Sequence, residues 1–172
     1  MGKDDLPLML IKYKGVFDFD NLFKSIYEWL REHRYTTIDE KIFKHKIPNP
    51  KGAEQEIVWV ASQRVTHYIK FHMDIKFKIM DLKDVEIVKG DKKQMKSFGK
   101  IRIMITPTIE TDYNKRFSKY PFLDKLFNKF IYKNDSGILY WDRLYYRSYQ
   151  LHQKIKSLLD METEYNAFDR RW

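Results

Sequence analysis

The sequence predicts an α+β fold: a single curved antiparallel sheet packed by an N-terminal helix and a long amphipathic C-terminal helix, in one domain over residues 1–172. Three observations carry this. Residues 68–79 alternate strictly, with Ile69, Phe71, Met73, Ile75, Phe77 and Ile79 on one face and Tyr68, Lys70, His72, Asp74, Lys76 and Lys78 on the other. A period of two means a strand with one buried and one wet face. Two other segments repeat their apolar residues at helical spacing. The order of elements is strand, helix, several strands, then two helices, which suits an antiparallel sheet covered on one side.

Residues 8–16 read as the first strand, with Leu8, Leu10, Tyr13 and Val16 in partial alternation. Asp18 or Asp20 then supplies the N-cap of a helix to about residue 34, whose apolar side is Leu22, Phe23, Ile26, Tyr27 and Leu30. The acids of Asp18-Phe19-Asp20 resemble a metal-binding pair. Capping and favourable charge at a helix N-terminus account for them better. Residues 35–47 and 56–65 form a hairpin about the turn Pro48-Asn49-Pro50-Lys51-Gly52. Residues 81–88 continue the long strand or bend away from it. A turn at Lys89-Gly90-Asp91 leads to a basic loop, 92–96, and a strand over 100–111. Pro107 implies a bulge or an edge position there. Pro121 suits the start of a helix with Phe122, Leu123, Leu126, Phe127, Phe130 and Ile131 on one side. The last helix spans about 139–165. Trp141, Leu144, Tyr145, Leu151, Ile155, Leu158 and Leu159 form its stripe, and Arg143, Arg147 and Lys154 lie opposite.

This plan resembles helix-grip, START-like domains in architecture. It departs from them in having one helix after the first strand and an extra helix before the last. The stretches Val16-Phe17-Asp18-Phe19-Asp20, Tyr68-Ile69-Lys70-Phe71-His72, Tyr140-Trp141-Asp142-Arg143-Leu144-Tyr145 and Leu159-Asp160-Met161-Glu162-Thr163-Glu164-Tyr165-Asn166 also resemble a family of uncharacterised archaeal proteins of about 170 residues. That resemblance implies a cytoplasmic single domain and supplies no catalytic residues.

Composition narrows the chemistry. The chain has no cysteine, which excludes disulfides, thiol catalysis and cysteine-ligated metals. No run of about 20 apolar residues occurs, and the N-terminus lacks a secretory pattern. The expected location is the cytoplasm. Metalloprotease, nucleophile-elbow, P-loop and dinucleotide-binding motifs are absent. His72 and Asp74 share the wet face of one strand, and Glu110 and Asp112 share a face of another. General acid–base work is open to such pairs. Solvated strand residues account for them as well. No cofactor or metal is expected, and an enzyme is the third-ranked reading.

Charge is more informative. Lysine and arginine total 33 against 24 acids, a net of +9. Residues 89–133 alone hold 12 basic and 4 acidic side chains, a net of +8. Such clustering is the footprint of an anionic partner, unless it is a face kept basic for solubility. The expected site comprises Lys92, Lys93, Lys96, Lys115, Arg116 and Lys119. Its expected partner is RNA or a ribonucleoprotein, ahead of an anionic membrane surface, with Phe98, Phe117 or Tyr120 able to stack on bases. The alternative is a carrier of a small hydrophobic ligand, held between sheet and C-terminal helix by Trp59, Phe71, Met73, Phe77 and Trp141.

Overall fold

The structure is a computed structural model that describes residues 2–49, 52–89, 92–115, 122 and 135–161. At residues 37, 41–49, 52, 87–89, 92–94 and 135–137 the description is of the backbone alone. The described elements are β1 (Gly2–Asp5), β2 (Met9–Phe17), α1 (Phe19–Glu32), β3 (Thr37–Asn49), β4 (Gly52–Arg64), β5 (Ile69–Lys89), β6 (Lys92–Thr111) and α2 (Asp135–Leu158). They form the expected α+β arrangement: an open, curved antiparallel sheet with both helices on one face.

Strands β3 to β6 follow one another as a meander. The other side of β6 is paired with β1 and β2, which lie end to end along it. Residues 2–5 face 108–111, and residues 9–17 face 97–105. Leu6-Pro7-Leu8 breaks this edge, and the break explains Pro107. Its carbonyl accepts from the Leu6 N–H at 2.9 Å, so its own hydrogen-less nitrogen points to the same gap. Proline therefore sits in a central strand without removing a ladder bond.

The long strand keeps its register over the alternating stretch. Ile69, Phe71, Met73, Ile75, Phe77 and Ile79 are buried, and Lys70, His72, Asp74, Lys76 and Lys78 are more exposed. Beyond Met80 the register with β6 shifts, and Asp81 takes a left-handed φ of 57°. This bulge lets β5 run on instead of bending away. Gly99 faces it, where a Cβ would meet the Met80 carbonyl at 3.1 Å. Residues 92–96 extend β6 and are not a loop.

On the inner face, Ile101, Ile103, Ile105 and Ile109 of β6 join the β5 row. Phe23 of α1 lies 4.6 Å from Phe77, and Tyr140 of α2 lies 6.4 Å from Phe71. Helix α1 starts at Asp18, whose Oδ1 accepts from the Asn21 N–H at 2.9 Å. It buries Leu22, Ile26, Trp29 and Leu30. Two readings change. In β2 the buried side is Ile11 and Phe17, while Leu8, Leu10 and Val16 are exposed. In α2, Arg147 does not lie opposite the apolar stripe. It reaches the sheet and donates to Gln63 Oε1 of β4 at 2.6 Å. The expected helix after Pro121 lies outside the described residues except Phe122, which is helical and exposed.

Candidate functional site

The six expected anion-binding residues do not meet among the described residues. Lys92 and Lys93 are backbone positions at the far end of β6, and Arg116 and Lys119 lie outside the described residues. Lys96 lines a cleft of about 400 Å³ together with Asp18, Asp20 and Asp84. Lys115, at φ 55°, lies beyond the other end of the strand. Lys96 and Lys115 are thus separated by about 50 Å of strand.

The five aromatic and apolar residues named for a ligand cavity divide likewise. Phe71, Met73 and Phe77 are fully buried. Trp59 lies edge-on to Phe77 at 5.2 Å and to Phe23 at 5.3 Å, and its Nε1 donates to Glu40 Oε2. Trp141 is 36% exposed and stacks on Tyr145 at 5.3 Å. Four of the five therefore belong to inner-face packing, and the fifth sits on the outer side of α2.

The concentration of charge lies elsewhere, on the sheet face turned away from the helices. Strand pairing puts Lys12 of β2 opposite Arg102 of β6, and Arg102 opposite Lys78 of β5. The next row holds Lys14 opposite Lys100, and the row after that Val16 opposite Phe98. Neighbouring strands are about 4.8 Å apart, so the first row brings three cations within about 10 Å. Like charges directly opposite one another destabilise a sheet. Lys100 is partly compensated by Asp81, whose Oδ2 is 2.7 Å from Nζ. Lys12, Lys14, Lys78 and Arg102 have no ion pair among the described residues, and Glu56 of β4, which lies opposite Lys78, is 2.6 Å from the Lys76 ammonium instead. The Nε of Arg102 is buried and has no hydrogen-bond partner among the described residues. Phe98, 38% exposed, lies two residues from Lys100 on the same face.

Towards the other end of this face the balance changes. The His72 Nε2 lies 2.6 Å from Glu110 Oε2 of β6, and Asp74 is exposed beside it. The pairing is thus across strands, where sequence neighbours had suggested Asp74. A cleft of about 360 Å³ is lined by His72 and Asp74 and includes Ser62, which lies opposite His72 on β4. No hydrogen bond joins Ser62 to His72 among the described residues. The imidazole is oriented by a carboxylate but has no nucleophile in hand. Among the described residues no group of histidines and acids is placed to hold a metal ion. No described helix is long and apolar enough to cross a membrane.

Neither a protein-family model nor a curated protein matches the chain. The basic residues of the sheet face escaped sequence reading because they come from three strands far apart in the chain. Their signal was present in the alternation: Lys12 and Lys14, Lys76 and Lys78, and Lys100 and Arg102 are each two apart. Only the register puts them side by side.

Proposed function

We propose that the protein is a binding module for an anionic macromolecule, with single-stranded RNA as the favoured partner, and that it binds on the outer face of its sheet. The row Lys12–Arg102–Lys78 carries this reading. A row of cations placed edge to edge costs stability, and phosphate groups laid across it would remove that cost. Lys14 and Lys100 extend the charge by one row. Phe98 then offers an exposed ring on which a base can stack. An aromatic beside lysines on a firm sheet surface suits single-stranded nucleic acid better than a lipid surface, which is met by an amphipathic helix.

The test is fluorescence anisotropy with a labelled single-stranded oligoribonucleotide and, separately, sedimentation with anionic vesicles. The triple variant K12E/K78E/K100E is expected to lose RNA binding. Lys115→Glu, at the far end of β6, is expected to retain it. Vesicle binding lost in the triple variant without RNA binding in the wild type would replace RNA by a membrane surface. Unchanged RNA affinity in the triple variant would reject the sheet face as the site.

A further inference from the structure

A second, separate concentration of arginine lies on the helical side of the sheet. Arg31 and Arg34 lie at the end of α1, and Arg143 and Arg147 one turn apart in the middle of α2. Arg31, Arg34 and Tyr35 line a cleft of about 290 Å³ at the junction of α1 and β3. Arg147 borders the same Tyr35 and is half-buried against Gln63. Arg34 and Arg143 both act on the half-buried Arg147, and none of the three has a carboxylate ion pair among the described residues. Among the described residues the Arg31 guanidinium is engaged by Tyr27, whose ring lies 5.9 Å from its guanidinium carbon.

Two further observations indicate that the cluster serves a ligand. The Tyr35 side chain is 2% exposed, and its hydroxyl is buried with no hydrogen-bond partner among the described residues. A buried donor left unpaired is costly, and it is rare without a reason. Burial pushes the Tyr35 hydroxyl above its ordinary range against the pull of Arg147 and Arg143, so the group is a neutral donor. The second observation is Arg34 itself. Helix α1 ends in a Schellman motif: the Tyr35 N–H bonds the Leu30 carbonyl, and the Arg34 N–H bonds the Arg31 carbonyl, both at 2.9 Å. Arg34 occupies the left-handed position of that motif, at φ 63°. Glycine is the usual residue there, because a side chain strains the backbone. Asp160 takes the same position at the end of the second helix, at φ 51°, so the turn is common to both helix ends, and what Arg34 adds is a guanidinium beside Tyr35 in the cleft.

Cations near a helix C-terminus are favourable in their own right, which accounts for Arg31 and in part for Arg34. It does not account for Arg143 and Arg147, which lie mid-helix, nor for the unpaired hydroxyl.

We infer that Arg34, Arg143, Arg147 and the Tyr35 hydroxyl form a binding site for a phosphoryl group. Guanidinium forks match phosphate oxygens bidentately, and a dianion suits three unpaired cations better than a single carboxylate. The phosphoryl group comes from either a small phosphorylated molecule or the 5′ end of a nucleic acid. This inference does not depend on the sheet-face reading.

The experiment is thermal denaturation of the full chain in a series of pyrophosphate concentrations, against sodium chloride of matched ionic strength. The expected result is a saturable rise in melting temperature with pyrophosphate that chloride does not produce. Arg143→Gln should weaken the midpoint by about tenfold or more, the loss expected for one charge-assisted hydrogen bond. Arg34→Gly should melt at or above the wild-type temperature without ligand, because it relieves the left-handed strain, and should respond weakly to pyrophosphate. Tyr35→Phe should behave in the same direction. A 5′-phosphorylated oligoribonucleotide that binds Arg143-dependently and more tightly than its 5′-hydroxyl counterpart identifies a nucleic-acid end as the source. Equal binding of the two identifies a small molecule. A pyrophosphate response no larger than that of chloride, a larger one with malonate, or one unchanged in both arginine variants would overturn the inference.

Discussion

Lys12→Glu should make the protein more stable while making it bind polyanions less well. Lys12 lies on β2, which among the described strands pairs with β6 alone, and its cross-strand neighbour on the outer face is Arg102. A cross-strand charge pair is worth about 0.2–1 kcal/mol, unfavourable for like charges and favourable for opposite ones. The substitution exchanges one for the other, so the limits of the swing are about 0.4 and 2 kcal/mol. Lys12 is exposed, which moves the result toward the lower half through solvent screening. We expect a gain of about 1 kcal/mol at low salt, which for a chain of this size is about 2–4 °C in melting temperature. Urea denaturation is the assay, read as a higher midpoint at constant slope. At molar salt, where the Debye length is about 3 Å, the gain should largely vanish. Lys12→Gln should give about half the gain, since it removes the repulsion and adds no attraction. If K12E is no more stable than the wild type at low salt, the row is not a site of stored repulsion. The reasoning that links it to an anionic partner then fails.

Phe77→Ala, which removes a ring packed against Phe23 and Trp59 at zero exposure, should cost about 3–5 kcal/mol. An unchanged urea midpoint would contradict that packing. Asp18→Ala deletes the N-cap acceptor of α1 and should cost about 1 kcal/mol, whereas Asp18→Asn should recover most of it. His152 is held below its ordinary value near 6.5 by burial and, second, by the Lys156 ammonium. Its neutral ring therefore contributes stability above the unfolded value near 6.5, and that contribution is lost as pH falls through the lower folded value. His152→Gln should flatten the stability profile on the acid side of 6.5, and superimposable profiles for the two proteins would refute this.

What the sequence made legible follows from how local each signal is. The β5 alternation and the α1 cap are written in consecutive residues, and both are found in the structure. Strand β1 went unread because Gly2-Lys3-Asp4-Asp5 is a short edge whose side chains mostly face water. The inner side of β2 was misassigned because Leu8, Leu10 and Val16 are as apolar as Ile11 and Phe17. Which of them is buried is set by register against β6, not by the segment itself. The extension of β6 to Lys92 was hidden by its lysines, which suit a solvated strand as well as a loop.

The candidate sites were less legible for the same reason. A count of charge along the chain placed the excess in residues 89–133, yet Lys96 lies near the start of β6 and Lys115 beyond its other end. The row of Lys12, Arg102 and Lys78 draws on three strands, and only Arg102 falls within that stretch. Arg143 and Arg147 were visible as a helical pair. Their relation to Arg34 and Tyr35 depends on how the two helices pack, which no local pattern encodes.

The most direct test of the account is the salt dependence of binding to single-stranded RNA. With up to five phosphates neutralised by Lys12, Lys14, Lys78, Lys100 and Arg102, the logarithm of affinity should fall with that of salt at a slope of about −3.5. That is about a hundredfold loss between 50 and 200 mM. In K12E/K78E/K100E the slope should fall to about −1.5 or binding should disappear. Wild-type binding that is insensitive to salt, or a slope that survives in the triple variant, would contradict the claim that the outer sheet face is where this protein meets its partner.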